Sequence, residues 1–219
     1  NGIITLEFPH LMRLVAENQF DTIYHEHFSY FSFTAVKRIL SHHGLKIFDL
    51  DELSTHGGSL RVYACHEEDQ SKVTADHVEN LLEREKSCGF NDLQIYLAFD
   101  EKVKKIKQTI LAFLNKLKNM EKSIAGYGAP AKGNTLLNYC GIRTDLIDYT
   151  VDRSPHKQEH FLPGSHIPIY HPDRIMETKP DYVVILPWNL KDEIMQQMAH
   201  IRDWNGRFLT LIPEVKVYP

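Results

Sequence analysis

Strand-like and helix-like segments alternate along residues 121–219, and this alternation limits the fold more than any other feature of the sequence. The strand-like runs are 123–127, 146–152, 181–186 and 207–212, and the helix-like segments are 130–139, 172–176 and 190–204. Parallel strands need long crossover connections, which helices usually supply. The pattern therefore predicts an α/β fold, with a Rossmann-like C-terminal domain in which helices flank a parallel sheet.

Residues 67–120 are predicted to be mostly helical and to connect this domain to the earlier part of the chain. Apolar residues recur there at alternating spacings of three and four, at Tyr96, Phe99, Val103, Ile106, Ile110, Phe113 and Leu117. Such a stripe indicates a helix with one buried face. The face fits a neighbouring helix or a dimer seam equally well, so both a monomer and a homodimer stay open.

Residues 1–66 form the first block. It contains, in order, a buried strand at Gly2–Pro9, a helix that begins near Ser32 or Thr34 and ends before Gly44, and two strands at 45–50 and 59–64. Ser and Thr are favoured at the start of a helix, and Gly just after its end. Because the chain starts at Asn1, directly before its first strand, we expect that an upstream piece has been removed.

Charge and hydropathy argue against two classes of partner. The chain has 25 Lys and Arg against 29 Asp and Glu, a net charge of −4, without the basic face that nucleic acid requires. No apolar run approaches the roughly 20 residues that span a bilayer. The sequence therefore predicts neither nucleic-acid nor membrane binding.

The three cysteines indicate a reducing compartment. Cys65, Cys88 and Cys140 are odd in number, lie far apart and include no Cys-x-x-Cys pair. No secretory signal is present. We expect free thiols and a cytoplasmic protein.

The densest group of chemically active side chains lies at Tyr24, His25, Glu26 and His27. A histidine titrates near neutral pH and can accept a proton there, while an adjacent carboxylate can orient its ring. A tyrosine hydroxyl can donate to an oxygen that gains negative charge. The group is a candidate acid–base site. Two other interpretations stay open, a metal pair formed by the two histidines and a polar loop that satisfies its own backbone.

A second candidate is the glycine-rich stretch at 126–134, which follows a strand and opens a helix. Gly126 and Gly128 would let the backbone approach a phosphate, and Lys132 and Asn134 would add polar contacts. Asp152 ends the next strand, where a ribose-binding acid is expected in dinucleotide sites. Close packing of strand on helix explains such glycines equally well. The final glycine also departs from dinucleotide spacing.

Two shorter motifs are further candidates for substrate contact. Gly58 and Ser59 could meet a phosphate or a sugar hydroxyl, and Arg61 offers a fork of donors to an oxyanion. Asn189 follows a predicted buried strand, where ligands of parallel sheets collect. A hairpin turn with a surface arginine is the plain alternative for the first motif.

These motifs together resemble the deoxysugar C-3 methyltransferases. The matching stretches are Tyr-His-Glu-His-Phe-Ser-Tyr-Phe-Ser at 24–32, His-Gly-Gly-Ser-Leu-Arg at 56–61, Gly-Tyr-Gly-Ala-Pro-Ala-Lys-Gly-Asn at 126–134 and Leu-Pro-Trp-Asn at 186–189. They occur in order and span nearly the whole chain.

The resemblance implies a domain plan. Residues 1–66 are expected to be the truncated C-terminal portion of an S-adenosylmethionine-dependent methyltransferase domain, 67–120 a helical connector and 121–219 a complete Rossmann-like domain. The glycine-rich S-adenosylmethionine loop and a zinc-binding module are expected upstream, so no metal site is predicted within this chain.

The resemblance also implies a reaction on a nucleotide-linked keto-deoxysugar. A base removes the proton next to the sugar ketone, and the enolate carbon attacks the methyl group of S-adenosylmethionine. By match to the motif His27 is the base, Glu26 contacts the sugar or orients the base, and Tyr24 is the third catalytic residue. His25 is expected to contact the substrate. The alternatives are a non-catalytic sugar-nucleotide-binding module and an NAD-dependent oxidoreductase.

Overall fold

The computed structural model describes residues 2–219, which separate into two compact units. One unit comprises residues 2–19 and 26–101, and the other comprises residues 20–25 and 102–219. The short segment 20–25 therefore belongs to the C-terminal unit. The division into 1–66, 67–120 and 121–219 stays a prediction beside these geometric units.

The first unit is built around a small antiparallel sheet. Its strands are β1 (Ile4–Pro9), β2 (Leu45–Leu53) and β3 (Ser59–His66), in the order β1-β3-β2. Its helices are α1 (Leu11–Ala16), α2 (Phe33–His42), α3 (Asp76–Ser87) and the first part of α4 (Leu93–Asn119). Side chains of α2, β2, β3 and α3 form one core, in which Phe33, Leu60, Val62 and Leu81 are almost fully buried.

The prediction that the first strand is buried was wrong for β1. Ile4 and Leu6 are about two-fifths exposed, at 41% and 40%. The strand lies at the edge of its sheet and pairs with β3 on one side. Apolar residues favour burial, but they are buried only where other elements of the fold pack against them.

The predicted boundaries of α2 are confirmed. The Ser32 hydroxyl accepts a hydrogen bond from the Ala35 amide at 3.1 Å, which satisfies one free donor of the first turn. Gly44 follows the helix with a φ of 68°, a left-handed conformation that glycine adopts without steric cost.

A buried carboxylate satisfies further donors at the start of α2. Glu85 of α3 accepts hydrogen bonds from the amides of Phe33 and Thr34 at 2.6 and 2.8 Å, and from the Thr34 hydroxyl at 2.7 Å. The His10 ring lies 2.8 Å from the same carboxylate. Burial alone would raise the pKa of Glu85, but these hydrogen bonds together hold it below its ordinary value.

The long helix α4 runs from the first unit into the second. It covers the predicted stripe, of which Val103, Ile110 and Leu117 are buried. Leu114 is also buried, although the heptad spacing did not select it. A straight helix repeats every 3.6 residues, so its buried face drifts away from a strict heptad.

The second unit is a six-stranded sheet with helices between its strands. The strands are β4 (Ile124–Tyr127), β5 (Tyr149–Val151), β6 (Ile169–Tyr170), β7 (Tyr182–Ile185), β8 (Arg207–Thr210) and β9 (Lys216–Tyr218). The helices are α5 (Ala131–Cys140), α6 (Arg174–Thr178) and α7 (Lys191–Gln197). The strand order is β6-β5-β4-β7-β8-β9, parallel except for the pair β8–β9.

This order confirms the predicted Rossmann-like fold. Counted within the unit it reads 3-2-1-4-5-6, the order of doubly wound nucleotide-binding sheets. The direction of winding reverses between β4 and β7, so the loops after Tyr127 and Ile185 flank the crevice of the sheet. Two short strands, β6 and β9, were not predicted.

We expect Glu85→Gln to destabilise the fold by about 2–4 kcal/mol at pH 7, because the amide cannot replace both acceptor oxygens of a buried, hydrogen-bonded carboxylate. Urea unfolding measures the change. The carboxylate's contribution is present above its unfolded pKa and is lost as pH falls through the lower folded value. The free energy of unfolding of the variant should therefore fall less than that of the wild type as the pH is lowered.

The matched control is Glu83→Gln, an exposed carboxylate on the same helix whose side chain is 75% accessible. It should change stability by less than about 0.5 kcal/mol. Equal effects of the two substitutions would contradict a structural role for Glu85.

Candidate active site

The group from Tyr24 to His27 lies in a surface turn. Tyr24 and His27 are partly exposed, and His25 and Glu26 are exposed. The Tyr24 and His25 rings meet edge to face with centroids 6.5 Å apart, and the His27 and Tyr30 rings lie 6.0 Å apart. Partly exposed acid–base side chains can contact a substrate and exchange protons with it.

The metal interpretation of the two histidines receives no structural support. Across residues 2–219, no three His, Cys, Asp or Glu side chains are grouped so that they could hold a metal ion.

A short 3-10 turn, Phe20–Thr22, leads into this site and is buried. Its Asp21 side chain is fully buried, and Oδ2 accepts a hydrogen bond from the Trp188 indole nitrogen at 2.7 Å. Burial raises the pKa of Asp21 to about 6, although the Trp188 bond and the charge of Lys132 oppose the rise. The carboxylate thus carries a desolvation cost that its partners offset in part.

Sequence reasoning missed Asp21 and assigned no polar role to Trp188. Asp21 opens the polar-aromatic stretch before Tyr24, which is a weak signal. Its burial and its partner, 167 residues away, follow only from the tertiary structure.

The structure brings together two residues that were predicted separately. Lys132 Nζ donates to Asn189 Oδ1 at 2.7 Å and lies 4.3 Å from the centre of the Trp188 ring. Burial lowers the pKa of Lys132, and the nearby Asp21 carboxylate acts in the opposite direction. Lys132 therefore belongs to an internal polar group formed with Asn189, Trp188 and Asp21.

Gly126 and Gly128 are required by packing within the domain. A Cβ on Gly126 would lie 2.7 Å from the Thr150 hydroxyl, and one on Gly128 would lie 2.7 Å from Pro187 Cδ. Gly128 also has a φ of 91°, which disfavours other residues. These contacts match the packing alternative for the glycine-rich stretch.

The backbone amide that follows these glycines already donates a hydrogen bond to a carboxylate of the chain itself. Asp152 Oδ2 accepts from the Ala129 amide at 2.7 Å, and Lys157 Nζ lies 3.3 Å from the same oxygen. The second oxygen accepts from the Ser154 amide at 2.8 Å. An incoming phosphate would have to displace this carboxylate. Nearby in the same motif, the buried Oδ1 of Asn134 has no hydrogen-bond partner among residues 2–219.

The candidates from the first unit also have partners within the chain. Arg61 donates to one Glu7 oxygen from Nη2 at 2.8 Å and from Nε at 3.2 Å. The Ser59 hydroxyl donates to the Thr55 carbonyl at 3.2 Å, and the Gly58 carbonyl accepts from the His10 amide at 3.1 Å. Ligand contact by Gly58, Ser59 and Arg61 stays a prediction.

Comparison with known proteins identifies the family. A family model described as the C-methyltransferase C-terminal domain matches residues 54–213, more than half of the chain. The chain belongs to the C-methyltransferase family. It is 36% identical over 222 residues to the C-methyltransferase NovU of Streptomyces niveus, covering 99% of this chain and 51% of that protein. The chain thus spans about half the length of the curated relative it matches.

The family membership confirms that the motifs are those of a C-methyltransferase. The glycine-rich stretch, Arg61 and Asn189 lie inside the matched range, and the turn from Tyr24 to His27 lies before it. The alignment with NovU covers nearly all of the chain, so similarity to a C-methyltransferase is not confined to the C-terminal domain. Along residues 2–219, no helix is long and apolar enough to cross a bilayer.

We expect Asp21→Asn to make the chain about 1–3 kcal/mol more stable at pH 8, because the amide keeps an acceptor for Trp188 and removes a buried charge. An acid whose folded pKa lies above its unfolded value loses stability as pH rises between the two, here from 3.8 to about 6. The variant should lack this decline.

Urea unfolding of both proteins at several pH values between 4 and 8 measures the difference. Curves that stay parallel over the whole range would contradict the assignment of a raised pKa to Asp21.

Proposed function

We propose that the protein containing this chain transfers a methyl group from S-adenosylmethionine to the carbon next to a ketone of a nucleotide-linked deoxysugar. The observation that carries the proposal is a surface turn with two histidines, a carboxylate and a tyrosine in a chain of the C-methyltransferase family. Carbon methylation next to a ketone requires removal of a weakly acidic proton, and this turn supplies the groups for it.

His27 is the proposed base. It takes the proton from the carbon beside the ketone, and its partial exposure lets a substrate reach it. Tyr24 donates to the ketone oxygen as negative charge develops there. Glu26 contacts the sugar or orients the base, and His25 contributes a substrate contact. These roles require the sugar to be held close to the turn. Holding the reacting groups in the correct orientation supplies much of the rate enhancement.

S-adenosylmethionine supplies the methyl group, and the described glycines do not fit as its site. A Cβ on Gly126 or Gly128 would collide with Thr150 or Pro187, so packing within the domain already accounts for both glycines. We propose that the donor loop, and a zinc-binding module, belong to the half of the protein that corresponds to the remainder of the relative. The 219-residue chain should then be inactive alone.

The first strand supports a truncated methyltransferase domain at residues 1–66. Ile4 and Leu6 are exposed on β1, and β1 has an edge that β3 does not occupy. Beside it lies an apolar hollow of about 340 Å³, lined mainly by Leu6, Phe8, Phe31, Val36, Ile39 and Leu40. Exposed apolar strands at an open edge are unusual in complete domains, because they promote aggregation. We propose that the upstream half of the domain extends the sheet here.

The structure weakens the NAD-dependent alternative. Dinucleotide binding would use the glycine-rich stretch after β4, where the Ala129 amide instead binds Asp152. Calorimetry with NAD⁺ and with nucleoside diphosphates, on the wild type and on Lys132→Ala, tests both rival functions. Binding that depends on Lys132, in a protein without methyl transfer, would favour a sugar-nucleotide-binding module.

We expect His27→Ala in the full-length protein to lower methyl transfer by at least about 100-fold, since a positioned general base contributes 10²–10⁴. Solvent deuterium should enter the wild type's sugar substrate beside the ketone, and this exchange should be lost in the variant. Both rates are read by mass spectrometry.

The control for this substitution is His42→Ala, which changes an exposed histidine of α2 and should retain both rates. Normal turnover of His27→Ala would remove His27 from the mechanism. Turnover by the 219-residue chain alone would refute the proposal that its methyl-donor site lies elsewhere.

A further inference from the structure

The crevice of the C-terminal sheet holds part of the chain itself. In doubly wound sheets, ligands bind outside the carboxyl ends of the strands at the point where the winding reverses. Here that point lies between β4 and β7, and the residues that follow these strands include Lys132, Trp188 and Asn189. The Asp21 side chain, from the segment that leads into the candidate active site, accepts a hydrogen bond from Trp188 at this point.

Two contacts tie this segment to the C-terminal unit. The Asp21 carboxylate accepts the indole hydrogen bond of Trp188 at 2.7 Å, with both side chains buried. The preceding Phe20 ring packs on Tyr139 of α5, with ring centroids 5.1 Å apart. The chain continues from Asp21 into the turn at Tyr24 after two residues, Thr22 and Ile23.

We propose that the reversal crevice is a seat for the segment 20–25, and that Asp21 and Trp188 are positioning residues for Tyr24, which belongs to the same unit. This inference rests on the proposed function, because the turn must act on a substrate for its position to affect the rate. The crevice that holds a ligand in other sheets of this order then serves here to orient protein groups.

The chemistry of the seat favours a fixed geometry. A carboxylate without water around it must find a donor, and Trp188 supplies one in a single direction. Lys132, held by Asn189 and lying over the same indole ring, adds a favourable charge. Tyr24 follows Asp21 after two residues and is partly exposed. A small change in the seat should therefore be transmitted to Tyr24.

The test compares three variants of the full-length protein, Trp188→Phe, Asp21→Ala and Trp204→Phe. Trp204 is the matched control, because its indole nitrogen donates to the Pro180 carbonyl at 3.0 Å, so the bond that Trp204→Phe removes does not involve the segment. We expect the first two variants to lower kcat by about 10- to 100-fold, the effect of roughly 1 Å of misplacement. The KM for S-adenosylmethionine should change less than about twofold, because donor binding is separate from the turn.

A conservative variant separates positioning from a general loss of stability. Asp21→Asn keeps an acceptor oxygen for Trp188 and should restore most of kcat. The double variant Asp21→Ala/Trp188→Phe should cost little more than either single change, since one bond is removed in all three.

Hydrogen exchange supplies a readout that does not need activity. Amides of residues 20–25 should exchange at least about tenfold faster in Trp188→Phe and Asp21→Ala than in the wild type and Trp204→Phe. Unchanged exchange together with unchanged kcat would overturn the inference, as would equal losses in Trp204→Phe. If the wild type transfers no methyl group, the proposed function fails, and the positioning role with it. The exchange data then still show whether the seat holds the segment.

Discussion

The hydrogen bond from Trp188 to Asp21 holds the segment that leads into the polar turn against the Rossmann-like sheet. Its acceptor is a fully buried carboxylate, which is costly to remove from water. Lys132, hydrogen-bonded to Asn189, lies over the same indole ring. Because such a group is stable only with its partners in place, it specifies one position for the segment that begins the turn.

The C-terminal domain carries the strand order of nucleotide-binding folds but uses its parts differently. Gly126 and Gly128 provide close contacts with Thr150 and Pro187, and Asp152 occupies the amide that follows them. The fold alone therefore does not establish ligand binding at this loop. The same strand order fits a supporting role, in which the carboxyl ends of β4 and β7 present polar side chains to a neighbouring segment of the chain.

The first unit contains a second buried carboxylate, which also needs hydrogen-bond donors to offset its desolvation. Glu85 of α3 accepts hydrogen bonds from the amides at the start of α2 and contacts His10, which follows β1. One side chain therefore links α3 to α2 and to the end of β1. Its hydrogen bonds lower its pKa, whereas burial with fewer donors raises that of Asp21. The number of donors available to each carboxylate explains why two buried acids have opposite shifts.

The sequence by itself determined the α/β class, the boundaries of α2 at Ser32 and Gly44, and the family, because caps, periodicity and motifs depend on neighbouring residues. It also located the turn from Tyr24 to His27. Only the tertiary structure decided that Asp21 is buried against Trp188, that Lys132 meets Asn189 and that β1 is exposed. These partners are 167 and 57 residues apart. Lys132 and Asn189 meet because β4 and β7 are adjacent in the sheet, whereas Asp21 meets Trp188 because the segment 20–25 packs on the C-terminal unit. A strand as short as β6 has too few residues to show an alternating pattern of apolar side chains. Such a strand is recognised only from its hydrogen bonds to a neighbouring strand.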